Sequence, residues 1–410
     1  MITLRDSSLP VVVLKLDNHG ALGAVRSLGR LGVAVYGVHS HAHAPALRSR
    51  YCRGGFTWDL DQAPAAESVQ FLLKIARGIG GRAILLPTND ETALFEAENA
   101  GRLRQCFIFP ARPLELVRTL YSKKAMHALA RQMDIPTAET FFPACRSDVE
   151  WFAGSARFPV MLKASDGITV ARRSGRKMVI CREQQELLEN YDVMEDPARP
   201  ALMLQEYIPG GEDSVWMFNG YFDENSECLA AFTGKKLRQT PVYTGMTSLG
   251  ICLPNPQVER MTKAFMKRIG YRGILDIGYR YDARDGLYKV LDINPRMGAT
   301  FRLFAGDNGM DVVRAMYLHL SGQPVPWSRL RQGRKWFVED LDLVSSIKYY
   351  RDGVLGVSQW LRSFRGVREA AWYASDDRAP FWQMCGEFAR KPFRKMAGRF
   401  QKASAMTQAA

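Results

Sequence analysis

The sequence predicts a multidomain protein in which an α/β region is followed by α+β regions. Between residues 10 and 120, strand-like runs such as PVVVLKL and AILLPT alternate with helical segments, which is typical of βαβ units and a parallel sheet. Farther along, SVWMFNGYF and CLAAFTGKKLRQ follow each other as two strand-like runs, and this order favours an antiparallel sheet. A chain of 410 residues has room for two or three such domains.

The composition excludes several classes of protein. Hydrophobic residues make up 47% and charged residues 24% of the chain, as in ordinary globular proteins. No apolar run reaches the ~18 residues that span a bilayer. The N-terminal run VVVLKL is interrupted by Lys15 and lacks the layout of a signal peptide. The seven cysteines are scattered singly, so we expect a reducing, cytoplasmic location and no disulfide framework or zinc ribbon.

The formal net charge of +14 favours anionic partners such as nucleotides or phosphates. Several of the cations lie in the C-terminal segment ARKPFRKMAGRFQK, which contains no acid. We expect a solvated or frayed helix there, with a weak contact to an anionic membrane as the alternative. The chain carries no recognisable nucleic-acid module, so no nucleic-acid partner is expected.

The motif LDINPR predicts a site for a hard cation. Strand alternation places Asp292 and Asn294 on one face, and Asp276 in the run GILDIGYRY adds a further carboxylate. Oxygen ligands of this kind suit Mg²⁺, with Mn²⁺ as an alternative. Arg296 follows at the position where an anion would be clamped. Two hairpin strands that simply end in acids are the alternative interpretation.

Further segments supply what the chemistry of nucleotide phosphates needs, in a fixed order along the chain. SKKAMHALARQMDIP and FPVMLKAS carry lysines, LMLQEYIPGGED is typical of a strand running into a turn, and the acid-bearing strands follow. Cations neutralise phosphates and metals bridge them. This order resembles the ATP-grasp superfamily, in particular its carboxylate–amine ligases, between residues 10 and 325.

The resemblance implies an architecture. Residues 1–120 are expected to form a Rossmann-like, parallel-sheet pre-ATP-grasp domain. Residues 121–325 are expected to form the ATP-grasp domain, with a small lid over about residues 140–207 and an antiparallel sheet in its C-terminal part. Residues 326–410 are expected to form an accessory helical region with a basic tail.

The resemblance also implies roles for individual residues. Lys123 and Lys163 are expected to contact ATP phosphates, and Lys163 and Arg296 are expected to be catalytic at the transferred phosphate. The residues expected at adenine and ribose are Gln205, Glu206, Ile208 and Glu212. The Mg²⁺ ligands that the resemblance implies are Asp276, Asp292 and Asn294.

Two segments add to that pattern or depart from it. The lid segment SDGITVARRSGRK lacks a Gly-rich phosphate loop, so its cations either replace backbone contacts or belong to an exposed loop. These cations are Arg172, Arg173, Arg176 and Lys177. Lys236 and Arg238 are expected to contact ATP phosphates or the substrate carboxylate, unless they blunt an edge strand.

The resemblance implies an ATP-dependent ligase for a small carboxylate and a small amine. The carboxylate attacks the γ-phosphate, ADP leaves, and the amine converts the acyl phosphate into an amide. Asp90 and Glu91, after the strand AILLPT, are candidates for binding the amine, although Asp90 equally fits a helix N-cap. A kinase- or carboxylase-like enzyme and a nucleotide sensor without turnover are the alternatives, and a homodimer is left open.

Overall fold

The computed structural model describes residues 2–165, 170, 174–176, 178–211 and 214–390. Within these ranges it contains three sheets with helices on their faces, and the predicted combination of a parallel sheet with antiparallel sheets is confirmed. Among the described residues, no helix has the length and apolarity that crossing a bilayer requires.

The N-terminal part is a five-stranded parallel sheet in the order β3-β2-β1-β4-β5. Its strands are β1 (Val11–Leu14), β2 (Val35–His39), β3 (Cys52–Thr57), β4 (Ala83–Pro87) and β5 (Phe107–Ile108). The helices are α1 (His19–Gly29), α2 (Ala65–Gly78), α3 (Asp90–Glu98) and α4 (Ala100–Leu103). The strand order reverses between β1 and β4, and ligands of such sheets bind at the carboxyl ends of these strands.

A small antiparallel sheet follows, in the order β6-β9-β7-β8. Its strands are β6 (Thr140–Phe141), β7 (Val160–Ala164), β8 (Met178–Cys181) and β9 (Leu202–Glu206). Helices α7 (Arg146–Ser155) and α8 (Gln184–Met194) pack on this sheet, whereas α5 (Leu114–Tyr121) and α6 (Lys123–Gln132) pack on the large sheet described next. Alternation along β7 buries Val160 and Leu162 against the helices, so Lys163 projects from the opposite face.

The largest sheet has seven strands in the order β14-β13-β10-β11-β12-β15-β16. The strands that carry its centre are β10 (Val215–Phe222), β11 (Cys228–Thr240), β12 (Met246–Cys252), β13 (Gly273–Asp282) and β14 (Leu287–Asn294). Helix α9 (Pro256–Arg268) packs on one face, against side chains such as Phe218 and Ile277. Helix α10 (Val312–Leu320) packs on the other face and shares a core with α1 of the N-terminal sheet.

The C-terminal region contributes strands as well as helices. Its elements are β15 (Lys335–Phe337), α11 (Glu339–Arg351), α12 (Val357–Ser363), β16 (Val367–Ala370) and a helical segment over 379–390. Strand β15 pairs with β12, with Leu249 opposite Phe337, so this region extends the central sheet. The region expected to be an accessory helical one therefore contains two strands besides its helices. Strands of three and four residues are too short to show an alternating pattern in the sequence.

The segment after β16 returns to the N-terminal part and holds it. Arg26 in α1 and Asp377 form a buried ion pair at 2.9 Å, with side chains 3% and 2% exposed. Ser49 Oγ also donates to Asp377, at 2.6 Å. Next to them, Arg30 pairs with the more exposed Asp376 at 2.9 Å. We call this contact the C-terminal clamp; it joins the first helix to the far end of the chain.

Candidate nucleotide and metal site

Three polar side chains lie in one row across neighbouring strands of the seven-stranded sheet. Asn219 of β10 is opposite Asp276 of β13, which in turn is opposite Asn294 of β14. Asn294 Nδ2 donates to Asp292 Oδ2 and to the carbonyl oxygen of Asp276, each at 3.1 Å. The structure thus brings Asp276, Asp292 and Asn294, the three residues that the sequence singled out, together on one face of the sheet.

The two carboxylates of this group differ in their surroundings. Burial raises the pKa of Asp276 to about 6, against the opposing effect of Arg296 and with the added repulsion of the Asp292 carboxylate. Arg296 Nη1 lies 3.6 Å from Asp276 Oδ2, while Asp292 is exposed. A desolvated carboxylate with a raised pKa is a group that a cation would stabilise.

Two glycines leave space beside these carboxylates. A Cβ at Gly298 would lie 2.4 Å from Cγ of Asp276, and a Cβ at Gly278 would lie 2.4 Å from Oδ1 of Asp292. The described residues contain no group of three His, Cys, Asp or Glu side chains able to hold a metal. Two carboxylates and one amide oxygen nevertheless fit Mg²⁺ or Mn²⁺, which take few protein ligands when substrate phosphates complete the shell.

Asn219 is a site residue that the sequence analysis missed. Its side chain is fully buried, and Nδ2 donates to Asp276 Oδ1 at 2.7 Å. Its Oδ1 is buried without a hydrogen-bond partner among the described residues. An uncharged polar residue inside the apolar run SVWMFNGYF was the available signal, because buried polar groups in strands normally serve a specific contact.

Arg296 connects the face that carries Asp276 and Asn294 to the N-terminal sheet. Its Nε donates to Asp90 Oδ1 at 3.0 Å, and its Nη2 donates to Asn294 Oδ1 at 3.1 Å. Asp90 is the first residue of α3, but the N-cap is Asn89, whose side chain accepts from Thr92 N. The structure therefore decides against the N-cap interpretation and places Asp90 on Arg296, at the carboxyl end of β4.

Three lysines lie near these carboxylates: Lys163 on β7 of the small sheet, Lys236 on β11 of the large sheet and Lys123 at the start of α6. Burial, together with the charges of Lys123 and Lys236, lowers the pKa of Lys163 to about 8, although Asp292 opposes this shift. Lys163 Nζ donates to Gln205 Oε1 at 3.4 Å, and Lys123 Nζ donates to the carbonyl of Ala164 at 2.5 Å. Lysines whose mutual repulsion lowers the pKa of one of them suit a site that binds phosphates.

An apolar cleft adjoins the lysines, between the small sheet and the large one. Its cavity volume is about 70 Å³, and its walls include Met161, Met178, Tyr207, Ile208, Tyr243 and Leu291. Gln205 and Glu206, which were expected at the adenine and ribose, also line it. Gln205 is buried and donates to Thr140 Oγ1 at 3.0 Å, while the Glu206 carboxylate pairs with Arg284. A cleft that combines apolar walls with neighbouring cations has the character of a nucleotide site.

The prediction for Arg238 is wrong. Its guanidinium is buried in an ion pair with Asp342 of α11, with Nε–Oδ1 and Nη2–Oδ2 distances of 2.7 and 2.8 Å. The register of β11 against β12 shifts between Lys236 and Arg238, so a bulge breaks the alternation that would keep both on one face. Lys236 stays beside the site, donating to the carbonyl of Gly245 at 2.9 Å.

Some predicted residues cannot be placed. Glu212 lies outside the described residues, as do Arg172, Arg173 and Lys177 of the lid segment. Arg176 is described, is exposed and donates to Asn190 Oδ1 at 3.2 Å.

Comparison with known sequences gives one informative relative. No family model matches the chain. A D-aspartate ligase of Enterococcus faecium is 25% identical over 243 residues, which are 56% of this chain and 57% of the relative. The chain therefore spans a little over half the length of that ligase.

Comparison with solved structures gives a consistent fold. The biotin carboxylase domain of a Hydrogenobacter thermophilus 2-oxoglutarate carboxylase matches with a TM-score of 0.60 at 18% identity, over 79% of this chain and 73% of that one. N5-carboxyaminoimidazole ribonucleotide synthetase of Thermus thermophilus gives 0.59 at 15% identity, over 78% and 81% of the two chains. An L-amino acid ligase of Bacillus licheniformis gives 0.58 at 12% identity, over 78% and 75%. These structures share the fold of this chain, and it is the fold that the resemblance to the ATP-grasp superfamily implied.

Proposed function

We propose that the protein is an ATP-dependent carboxylate–amine ligase that works through an acyl phosphate. The observation that carries this proposal is the placement of Arg296 between the Asp276–Asn294 pair and Asp90. A guanidinium at that point can stabilise a phosphoryl group that leaves the nucleotide and joins a carboxylate. A sensor that only bound ATP would have no need of such a group.

The residues divide the chemistry between them. We assign Asp276, Asp292 and Asn294 to hold Mg²⁺, which when bound neutralises the charge of the nucleotide phosphates. Lys123, Lys163 and Lys236 neutralise phosphate oxygens. A carboxylate oxygen of the acid substrate bonds to the γ-phosphorus as ADP leaves, and the amine nitrogen then bonds to the acyl carbon as orthophosphate leaves. The amine gives up a proton in that second step.

We place the acid and amine substrates at the carboxyl ends of β1 and β4, next to Arg296. Asp90 and Glu91 begin α3 there, and Lys15 follows β1, with its Nζ 2.8 Å from Asp61. Charges of both signs at this edge suit a ligand that carries an ammonium and a carboxylate. Asp90 is the candidate to hold the amine, because its contact with Arg296 directs it toward the acyl phosphate.

We further propose a cytoplasmic location, where ATP is supplied and the cysteines stay reduced; the described cysteines include no disulfide. Two further proposals concern partners: a weak contact of the basic tail with anionic lipid, and assembly as a homodimer. Sedimentation velocity of the full-length protein measures the second directly.

The reaction class is tested by following oxygen. Amino acids, with the enantiomers of aspartate first because of the ligase relative, are screened as acid and amine pairs while ADP and orthophosphate are measured together. With an oxygen-labelled carboxylate, label is expected in the released orthophosphate, because the carboxylate oxygen bonds to phosphorus. Label in AMP, or release of pyrophosphate, contradicts the mechanism. Stable phosphorylated product without an amide selects the kinase-like alternative.

Replacing Lys163 with methionine is expected to weaken ATP binding about tenfold or more, since a charge-assisted contact contributes roughly 1.5–3 kcal/mol. In the wild type, affinity is expected to fall as the pH rises above about 8, where Lys163 loses its proton, and this dependence is expected to vanish in the variant. Calorimetric titration with Mg²⁺–ATP measures both. Lys74→Met on the exposed side of α2 is the control. Equal affinity in all three proteins excludes Lys163 from the phosphate site.

A further inference from the structure

Helix α11 has its polar side turned toward the protein and its apolar side turned toward solvent. Its buried residues are Asp342, Ser345, Ser346 and Tyr349. Its outward residues are Leu343, Val344, Ile347 and Tyr350, which are 46–60% exposed. A surface helix of a globular protein normally has the opposite arrangement, so α11 presents to solvent the side that such a helix buries.

The inward polar residues are satisfied by specific contacts. Asp342 accepts from Nε and Nη2 of Arg238, and Ser345 Oγ lies 3.0 Å from Ser248 Oγ. Tyr349 stacks edge-on with Tyr243 at 5.3 Å between ring centroids. These contacts fix the rotation of α11 about its axis, and they hold the apolar side outward.

The apolar surface continues beyond α11. Trp360 Nε1 of α12 donates to Asp342 Oδ2 at 3.4 Å, which holds the two helices side by side. Val354 in the connecting loop, and Val357 and Leu361 of α12, are 60–61% exposed. We call this surface the α11–α12 face; it consists of Leu343, Val344, Ile347, Tyr350, Val354, Val357 and Leu361. Exposed apolar patches of this kind mark sites of interaction with a protein or a membrane.

The charges around the α11–α12 face distinguish between these partners. Residues 343–368 are all described, and their exposed cations are Lys348, Arg351, Arg362, Arg365 and Arg368. The exposed acid in the same range is Asp352. In a symmetric dimer the same patch of each copy would meet, so these cations would face one another. Anionic headgroups would instead attract them while the apolar side chains enter the acyl boundary.

We propose that the α11–α12 face docks on an anionic phospholipid surface. The apolar side chains enter the boundary between headgroups and acyl chains, and the arginines lie at the lipid phosphates. Tyr243 lines the nucleotide cleft and its hydroxyl donates to Asp352 Oδ2 at 2.9 Å, at the end of α11. The docked surface therefore lies next to the mouth of the cleft, and the ligase works at the membrane rather than in bulk solution.

Vesicle sedimentation of the full-length protein tests this proposal. Binding is expected to vesicles of equal parts phosphatidylcholine and phosphatidylglycerol, and to be much weaker with phosphatidylcholine alone. The double variant Ile347→Glu/Leu361→Glu is expected to lower partitioning about tenfold or more, because two apolar side chains no longer enter the lipid. Val193→Glu, at a residue of α8 that is 65% exposed, is the matched control and is expected to bind as the wild type.

Two further variants distinguish docking through the α11–α12 face from binding through the basic tail, and sedimentation velocity of the wild type and the double variant tests for a dimer formed through that face. A protein without residues 391–410 is expected still to bind the vesicles. Adding Ile347→Glu/Leu361→Glu to that shortened protein is expected to abolish the binding. Replacing Arg351, Arg362 and Arg365 with glutamine is expected to lower binding about a hundredfold, since each cation near the surface contributes about 1 kcal/mol. Circular dichroism checks that the variants are folded. The proposal is overturned if the double variant binds vesicles as the wild type does, or if removal of the tail alone abolishes all binding. It is also overturned if the wild type is a dimer that the double variant dissociates.

Discussion

Asp276→Asn is expected to give a folded protein that is more stable without metal than the wild type and has lost metal-dependent turnover. Burial raises the pKa of Asp276 from 3.8 to about 6, so the folded state loses stability as the pH rises through this range. The shift corresponds to up to about 3 kcal/mol at neutral pH. An uncharged asparagine carries no such cost, but it offers the metal a weaker ligand.

Chemical denaturation with and without Mg²⁺ measures this effect. The wild type is expected to gain stability when Mg²⁺ and nucleotide are added, because both bind the folded state, whereas the variant gains little. Asp292→Asn is the matched control: Asp292 is exposed, so turnover is expected to fall without a gain in stability of the metal-free protein. If the Asp276→Asn protein is no more stable than the wild type at neutral pH, burial does not destabilise the Asp276 carboxylate.

The same carboxyl predicts a pH dependence of metal binding. Mg²⁺ binds the deprotonated form, so its affinity is expected to fall as the pH drops below about 6, where Asp276 takes up a proton. This dependence is expected to disappear in the Asp276→Asn protein.

Asp377→Ala is expected to destabilise the fold by about 3–5 kcal/mol, because it leaves a buried guanidinium without its counter-charge. Arg26 donates to the carboxylate at 2.9 Å and to the carbonyls of Ala371 and Trp372 at 3.1 and 2.7 Å. The carboxylate also accepts from Ser49 Oγ and from the amide of Arg50, at 2.6 and 3.0 Å. These bonds connect the C-terminal clamp to two separate parts of the N-terminal domain.

The neighbouring residue provides the control. Asp376 pairs with Arg30, but its side chain is 41% exposed, so Asp376→Ala is expected to cost at most about 1 kcal/mol. Urea unfolding of both variants, with the midpoint and slope compared, measures the difference. Equal losses in the two variants exclude the buried charge as the cause.

Local spacing in the sequence was enough to predict that Asp292 and Asn294 lie on one face of a strand. Asp292 and Asn294 are two residues apart in a strand, and that period puts them together in any sheet. The order of the lysine-bearing segments, the segment LMLQEYIPGGED and the acid-bearing strands was enough to predict the fold class. The roles of the individual site residues stay predictions, and the Lys163 and Asp276 variants address them.

What the sequence could not provide depends on register and on distant contacts. The bulge beside Arg238 turns that side chain toward α11, and bulges leave no mark on the alternation of residue types. Asn89 and Asp90 are both suitable N-caps, and the choice between them is made by Arg296, two hundred residues away in the chain. Asn219 acquires its role only when β10 pairs with β13.

The C-terminal clamp also links the order of synthesis to the order of folding. Arg26 and Asp377 are 351 positions apart, and domains of a nascent chain generally begin to fold from the N-terminus. Until residue 377 has left the ribosome, α1 can bury its arginine only by burying an unpaired charge. A product that stops short therefore keeps its first helix loosely held, and loosely held segments are where proteases cut. One ion pair thus makes the stability of α1 depend on a segment made 351 positions later.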